Sequence, residues 1–179
     1  MLPVVPPRPI PDSYWVIPGR FLAGEYPSSL NPNLARQTIR AFLDSGIDYF
    51  LDLTEEGEGG LNFYVPYLKE AAAESGVSFI HKRYPIRDFS APKPKFVVQI
   101  LNDLEQALAD GHRVYLHCYG GIGRTGTVVG CYLVRNGLSG QDALEQIAAW
   151  RKGTPDEHRI SPETEAQRRM VLRWREKKR

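Results

Sequence analysis

Cysteine is scarce in this chain: Cys118 and Cys131 are the two it has among 179 residues. Two thiols make no disulfide framework, so core packing and hydrogen bonds must hold the fold, and a reducing compartment suits it. Long apolar runs are missing too. None approaches the roughly 20 residues that span a bilayer, and the N-terminus, broken by proline, lacks the basic start and apolar stretch of a secretory leader. These absences predict a soluble, cytoplasmic protein with no membrane span. Charge of one sign is not in excess, since the net charge is +2, which gives no reason to expect nucleic acid. The positive balance sits at the end, where Arg173, Arg175, Lys177, Lys178 and Arg179 face Glu176 alone. That pattern reads as a solvated helix end. His81, His112 and His158 are scattered without ligand spacing and read as surface or boundary residues, so neither a metal nor another cofactor is expected.

What is present suits one ordinary domain, with 42% hydrophobic and 25% charged residues. Eight of the fourteen prolines fall in the first 32 residues, so residues 1–12 read as an extended or disordered arm. The domain is expected over residues 13–175, with a basic tail at 176–179. Tyr14–Ile17 and Arg20–Ala23 flank a Pro-Gly turn and predict a hairpin. Further strands are expected over 47–53, 77–84 and 113–117. Helices are expected over 34–43, 64–74 and 96–109, the last with Val97, Ile100, Leu101, Leu104 and Leu108 on one buried face. Ser139 with Asp142 opens a helix burying Leu144, Ile147 and Ala148. Ser161-Pro162-Glu163 reads as another helix start, with Ala166, Met170 and Trp174 along one face. Strands alternating with helices, then a helical last third, predict an α/β fold: a single domain whose central, mostly parallel mixed sheet is flanked by helices in a three-layer sandwich.

The chemistry concentrates in His117-Cys118-Tyr119-Gly120-Gly121-Ile122-Gly123-Arg124-Thr125-Gly126. An apolar strand feeds this glycine-rich loop and a helix leaves it, an arrangement that holds a tetrahedral dianion with backbone N–H groups and a helix N-terminus. Cys118 stands at the mouth of the loop. An ordinary thiol, with pKa about 8.5, is mostly protonated at neutral pH. Converging amides, the helix dipole and Arg124 would each favour its ionised, nucleophilic form. Arg124 offers a planar fork for two oxygens of the anion, and the Thr125 hydroxyl would donate to the thiolate. Cys131 reads as a small core residue.

His-Cys-x5-Arg-Thr-Gly resembles the signature of the cysteine-dependent protein tyrosine phosphatases, and the loop Tyr119 to Gly123 resembles those of the dual-specificity branch. The resemblance implies the fold of that superfamily and substrate binding by Tyr119, Gly120, Gly121, Ile122, Gly123 and Arg124. It implies a general acid on an upstream loop, and Asp88, in Tyr84-Pro85-Ile86-Arg87-Asp88-Phe89-Ser90, occupies that place. Asp52 competes for the role but matches no position of the family. His117 is similar to the histidine that precedes the nucleophile and would tune the thiol through loop hydrogen bonds. Gln167 is similar to a water-positioning glutamine of tyrosine-specific members, although Glu163 stands where a second glutamine is found.

The reaction so implied is hydrolysis of phosphotyrosine, with phosphoserine and phosphothreonine also open, through a phosphocysteine intermediate. The partner would be a phosphorylated protein or peptide, and phosphate, sulfate or vanadate would bind in the loop. Two alternatives stay open: a phosphatase for a non-protein ester such as an inositol phosphate or an RNA 5′ phosphate, and a phosphoprotein-binding module with weak catalysis.

Overall fold

The computed structural model describes residues 5–60 and 63–176. Among them, five strands form one mixed sheet of order β1-β2-β5-β3-β4. β1 (Ser13–Ile17) and β2 (Phe21–Gly24) make the antiparallel hairpin, its turn closed by Arg20 N donating to Ile17 O at 3.0 Å. β3 (Tyr49–Asp52), β4 (Ile80–Arg83) and β5 (Val114–His117) run parallel. Strand β5 lies between β2 and β3, and its register sets Gly24 and Asp52 level with His117. The loops that follow β2, β3 and β5 therefore leave one edge of the sheet together, where α/β sheets bind ligands.

Alternation along the strands divides the core in two. Leu22, Phe50 and Tyr115 pack with Ile39 and Phe42 of α1 (Pro32–Asp44) and Leu68 of α2 (Val65–Ser75). Phe21, Leu51 and Leu116 pack on the opposite face, with Val97, Ile100 and Leu104 of α3 (Pro94–Ala109) and Val128 and Cys131 of α4 (Gly123–Arg135). Ile147 of α5 (Gly140–Trp150) and Val171 of α6 (Glu165–Leu172) complete that side. The result is the expected single α/β domain in three layers.

Local chemistry accounts for the helix ends. Asn31 caps α1 by accepting from Asn33 N at 2.9 Å, with Pro32 in the first turn. Gly76 closes α2 in the left-handed conformation, and Ser139 Oγ accepts from Asp142 N at the start of α5. Four expectations need correction. Strand β4 begins at Ile80 rather than 77, because Val77 N still serves the end of α2 by donating to Ala72 O. Ala148 is exposed, and Ala143 takes its place inside. The last helix starts at Glu165, because Thr164 and Gln167 form its capping box while Ser161 Oγ is engaged on Ile122 O at 2.7 Å. Its buried face is Gln167 and Val171, which leaves Ala166 exposed and Met170 half-buried.

The described part of the proline-rich arm is irregular but packed. Trp15 Nε1 donates to Pro6 O at 2.9 Å, Ser13 Oγ donates to Ile10 O at 2.7 Å, and Ile10 is buried. Residues 1–4 of the arm, and Lys177, Lys178 and Arg179 of the basic tail, lie outside the described residues. No helix among the described residues is long and apolar enough to cross a membrane.

Candidate active site

Strand β5 ends at His117, residues 118–122 form the loop, and α4 begins at Gly123. The loop is pressed against the end of β2. Gly121 has φ +68, and a Cβ there would stand 2.4 Å from Gly24 C and 2.6 Å from Glu25 N, so only glycine fits. Tyr26 N donates to Tyr119 O at 2.9 Å and fixes the loop's other shoulder. Within this bend the backbone N–H groups of residues 119–125 find no acceptor among the described residues. Such a run of free donors at a helix N-terminus is an anion cradle. Cys118 lies at its centre, buried, in a cleft of about 610 Å³.

Arg124 is fully buried, and its bonding differs from the expected free fork. Glu58, on a short 3-10 turn over Glu58–Gly60, takes both terminal nitrogens: Nη1 donates to Oε2 at 2.7 Å and Nη2 to Oε1. Nη1 also donates to Ile86 O at 2.9 Å, and Nη2 lies 3.1 Å from Asp88 Oδ1. Nε is buried and without a partner among the described residues, so it is the guanidinium nitrogen free to donate to an anion placed there. Burial opposes the charge on Arg124, but Glu58, Cys118 and Asp88 together outweigh it and hold the guanidinium above its ordinary pKa. Glu58 in turn is held below the usual carboxylate range despite its partial burial. No motif marked Glu58; its loop offers three glutamates, and the contact spans 66 positions.

Asp88 reaches the same guanidinium from the opposite loop. Its Oδ1 accepts from Phe89 N at 3.0 Å, and Ser90 Oγ donates to Arg87 O at 2.6 Å, which tightens the turn. Phe89 sits at φ +57, a conformation that bulky residues rarely adopt. It stands 60% exposed and lines the cleft with Leu30 and Tyr119.

Residues 27–138 match the family described as "Tc-R-P: Polymorphic toxin system, DSP-PTPase phosphatase". The chain belongs to this family. Mouse (Mus musculus) "Dual specificity protein phosphatase CDC14B" is 29% identical over 140 residues, covering 70% of this chain and 24% of that protein. "Protein tyrosine phosphatase domain-containing protein 1" of the mouse is 30% identical over 103 residues, covering 54% of this chain and 13% of that one. The chain thus spans less than half the length of the curated relatives it matches. Among solved structures, "Crystal structure of Tk-PTP in the active form" aligns at a TM-score of 0.66 and 27% identity, over 90% of this chain and 94% of that one.

In this DSP-PTPase chain the remaining expected residues fall as follows. His117 is buried, and its Nδ1 lies 3.1 Å from Cys118 O. A carbonyl only accepts, so Nδ1 carries the proton and Nε2 accepts from the Tyr64 hydroxyl at 2.7 Å. Burial holds His117 below its ordinary pKa, against the pull of Asp52, and this favours the neutral ring that the pattern needs. Tyr64 is a second residue the sequence did not mark.

Asp52 is fully buried and accepts from Thr54 N, Thr54 Oγ1, His81 and Arg83. Burial alone would raise its pKa, but His117, His81 and Thr54 hold it well below the carboxylate range, so it has no proton to give. His81, half-buried at the boundary, belongs to this network. Thr125 Oγ1 donates to Gly24 O at 3.4 Å, which turns it toward β2 instead of Cys118. Gln167 is buried, with Oε1 accepting from Thr164 N at 3.0 Å and Nε2 donating to Ser90 O at 3.1 Å. Its amide serves a helix cap and the turn after Asp88. Cys131 is a core residue whose thiol burial pushes far above its ordinary pKa. Among the described residues no group of three His, Cys, Asp or Glu could hold a metal.

Proposed function

We propose that this chain is a protein phosphatase that hydrolyses phosphotyrosine, and phosphoserine or phosphothreonine less well, through a phosphocysteine. The observation that carries this reading is the cradle of unpaired amides around Cys118, completed by the orphaned Nε of Arg124. It is built for a tetrahedral anion beside a thiol. In the first step the Cys118 thiolate attacks phosphorus, the S–P bond forms, and the ester P–O bond breaks. Asp88 gives its proton to the departing oxygen. In the second step Asp88 takes a proton from water, whose oxygen attacks phosphorus; the S–P bond breaks and inorganic phosphate leaves. Amides and Arg124 hold the equatorial oxygens in both steps.

The preference for an aryl ester rests on the rim. Phe89, Leu30 and Tyr119 are large, exposed apolar side chains lining the same cleft as Cys118. A tyrosyl ring would lie among them, whereas a seryl phosphate would leave them wet. The cleft's apolar mouth favours this over an inositol phosphate, whose further phosphates would meet Glu25, Asp156 and Glu163, with Arg159 in the lining already paired to the last two. A thiol that must stay reduced fits the cytoplasm.

A leaving-group series tests the assignment. Cys118→Ser should abolish phosphate release while still binding vanadate. Asp88→Asn should slow phosphotyrosyl peptides about 100-fold, the low end of general-acid effects, and activated dinitrophenyl phosphate far less. Equal losses for both esters, or turnover by Cys118→Ser, would overturn the mechanism.

A further inference from the structure

The apolar stripe at the end of the chain is only partly absorbed by the core, through Trp174 and Met170, and its outer edge lies away from the cleft. Ala166 is exposed, Met170 half-buried and Trp174 buried against the core, and with Ala91 and Pro94 they line a surface groove of about 300 Å³. Arg169, Arg173 and Arg175 form its rim, and no carboxylate lines it. Arg169 is paired with Glu165, whereas Arg173 and Arg175 stand exposed. Lys93 and Lys95, exposed on either side of Pro94, extend the same sign of charge. An apolar trough under unmatched cations complements a chain that is acidic and carries one bulky apolar side chain. A concave floor between two backbone segments suits a peptide better than the flat face of a bilayer.

The location adds a second argument. Ala91 and Pro94 follow directly from the turn that holds Asp88, and the opposite face of α6 bonds that turn through Gln167 Nε2 to Ser90 O. A segment lying in the groove would therefore run beside the catalytic cleft, as the flank of a substrate does. We propose that this groove docks an acidic segment of the phosphoprotein substrate, anchored by an aromatic or large aliphatic residue. Assigning the segment to a substrate rests on the phosphatase reading; the docking chemistry does not.

The test uses the full chain and a fluorescein-labelled peptide, Glu-Glu-Phe-Glu-Glu, followed by anisotropy. Binding should saturate, and replacing the peptide's Phe by Ser should weaken it. Added salt should weaken it as well, because charges farther apart than about 8 Å are screened at physiological ionic strength. The double variant Arg173→Glu with Arg175→Glu should bind about tenfold more weakly, as the loss of two surface ion pairs would give. Its turnover of para-nitrophenyl phosphate should be unchanged. Joining the acidic segment through a Gly/Ser linker to a phosphotyrosyl peptide should lower KM in the wild type and not in the variant. If the charge reversal unfolds the chain, Arg173→Gln with Arg175→Gln carries the same comparison.

No saturable binding, or equal binding by the variant, overturns the proposal. So does sedimentation with phosphatidylserine vesicles, lost in the variant, when the peptide does not bind, for the groove then belongs to a lipid surface. Saturable, variant-sensitive binding by a chain that cannot hydrolyse para-nitrophenyl phosphate keeps the docking site and removes the phosphatase reading.

Discussion

At the scale of single residues, the cleft depends on carboxylates in contrasting states. Glu58 is ionised by its fork on Arg124 and fixes which guanidinium nitrogen is left over. Glu58→Gln keeps the shape and loses the charge, so Arg124 should swing toward Asp88, which already lies 3.1 Å away. We expect kcat/KM for an aryl phosphate to fall about tenfold, in the range for weakening a charge-assisted pair. Unchanged kinetics would mean that the Ile86 carbonyl alone positions the guanidinium. Glu25 is the opposite case. Burial, with the negative neighbours Asp12 and Asp156, pushes it up to about 7 from an ordinary 4.5. A carboxyl whose folded pKa is raised stabilises the fold fully below the unfolded value and loses that contribution as pH rises through the folded one. The relevant window is therefore pH 4.5 to about 7. Glu25→Gln should match the wild type in unfolding midpoint near the bottom of the window and exceed it above the top, where the wild type carries a half-buried charge. Parallel midpoints across the window would show that Glu25 is solvated in the native state.

At the scale of elements, the sequence was read best where one period decided the matter. Helix α3 shows this, since Val97, Ile100, Leu101, Leu104 and Leu108 are all buried as their spacing requires. Helix α6 shows the limit. Its stripe Ala166, Met170, Trp174 and its stripe Gln167, Val171 are both helical in spacing, and the apolar one is the natural choice. The structure buries Gln167 and Val171 within the helix, leaving Ala166 exposed and Met170 half-buried with Trp174 buried only beyond the helix end, because the Gln167 amide finds Thr164 N and Ser90 O there, a satisfaction that hydropathy cannot register. What brings α6 so close is missing side chains. A Cβ on Gly130 of α4 would meet Val171 Cγ2 at 2.6 Å, and one on Gly140 of α5 would meet Leu172 Cα at 2.5 Å. The first obstacle is a side chain that can turn; the second is backbone. Gly140→Ala should accordingly push α5 and α6 apart. Overpacking costs about 1–3 kcal/mol, and a domain of this size loses about 2–4 °C per kcal/mol, so the midpoint should drop by about 2–12 °C. An unshifted thermal melt would show that the two helices have slack.

At the scale of the molecule, the cleft is a meeting of loops from distant parts of the chain. Cys118 and Arg124 could be read in advance because one loop carries both. Asp88 was reachable only through a family resemblance, and Glu58 and Tyr64 not at all, since their partners lie 66 and 53 positions away. The N-terminal arm belongs to the same category. Its prolines suggested a loose leader, yet a segment without N–H donors can still offer carbonyls, and Pro6 O receives the Trp15 indole. Ile10 is buried with the α1 and α2 core. Asp12 then joins two walls of the cleft, its carbonyl accepting from Glu25 N at 3.1 Å and its Oδ1 from Asp156 N at 3.3 Å. Removing residues 1–11 would expose Trp15, strand its N–H and take Ile10 from the core, while leaving Asp12 in place. Burying one such aliphatic side chain contributes about 1.5–3 kcal/mol, so the midpoint should fall by about 3–12 °C. Turnover of a small aryl phosphate at low temperature should persist, because the described residues of the arm bond and pack on Ser13, Trp15 and the α1–α2 core rather than on the cradle, Arg124, Glu58 or Asp88. A truncated chain that melts with the full one would return the arm to the loose leader its composition suggested. One that melts alike but loses turnover would instead place the arm's contribution at the cleft, through the walls that Asp12 ties together.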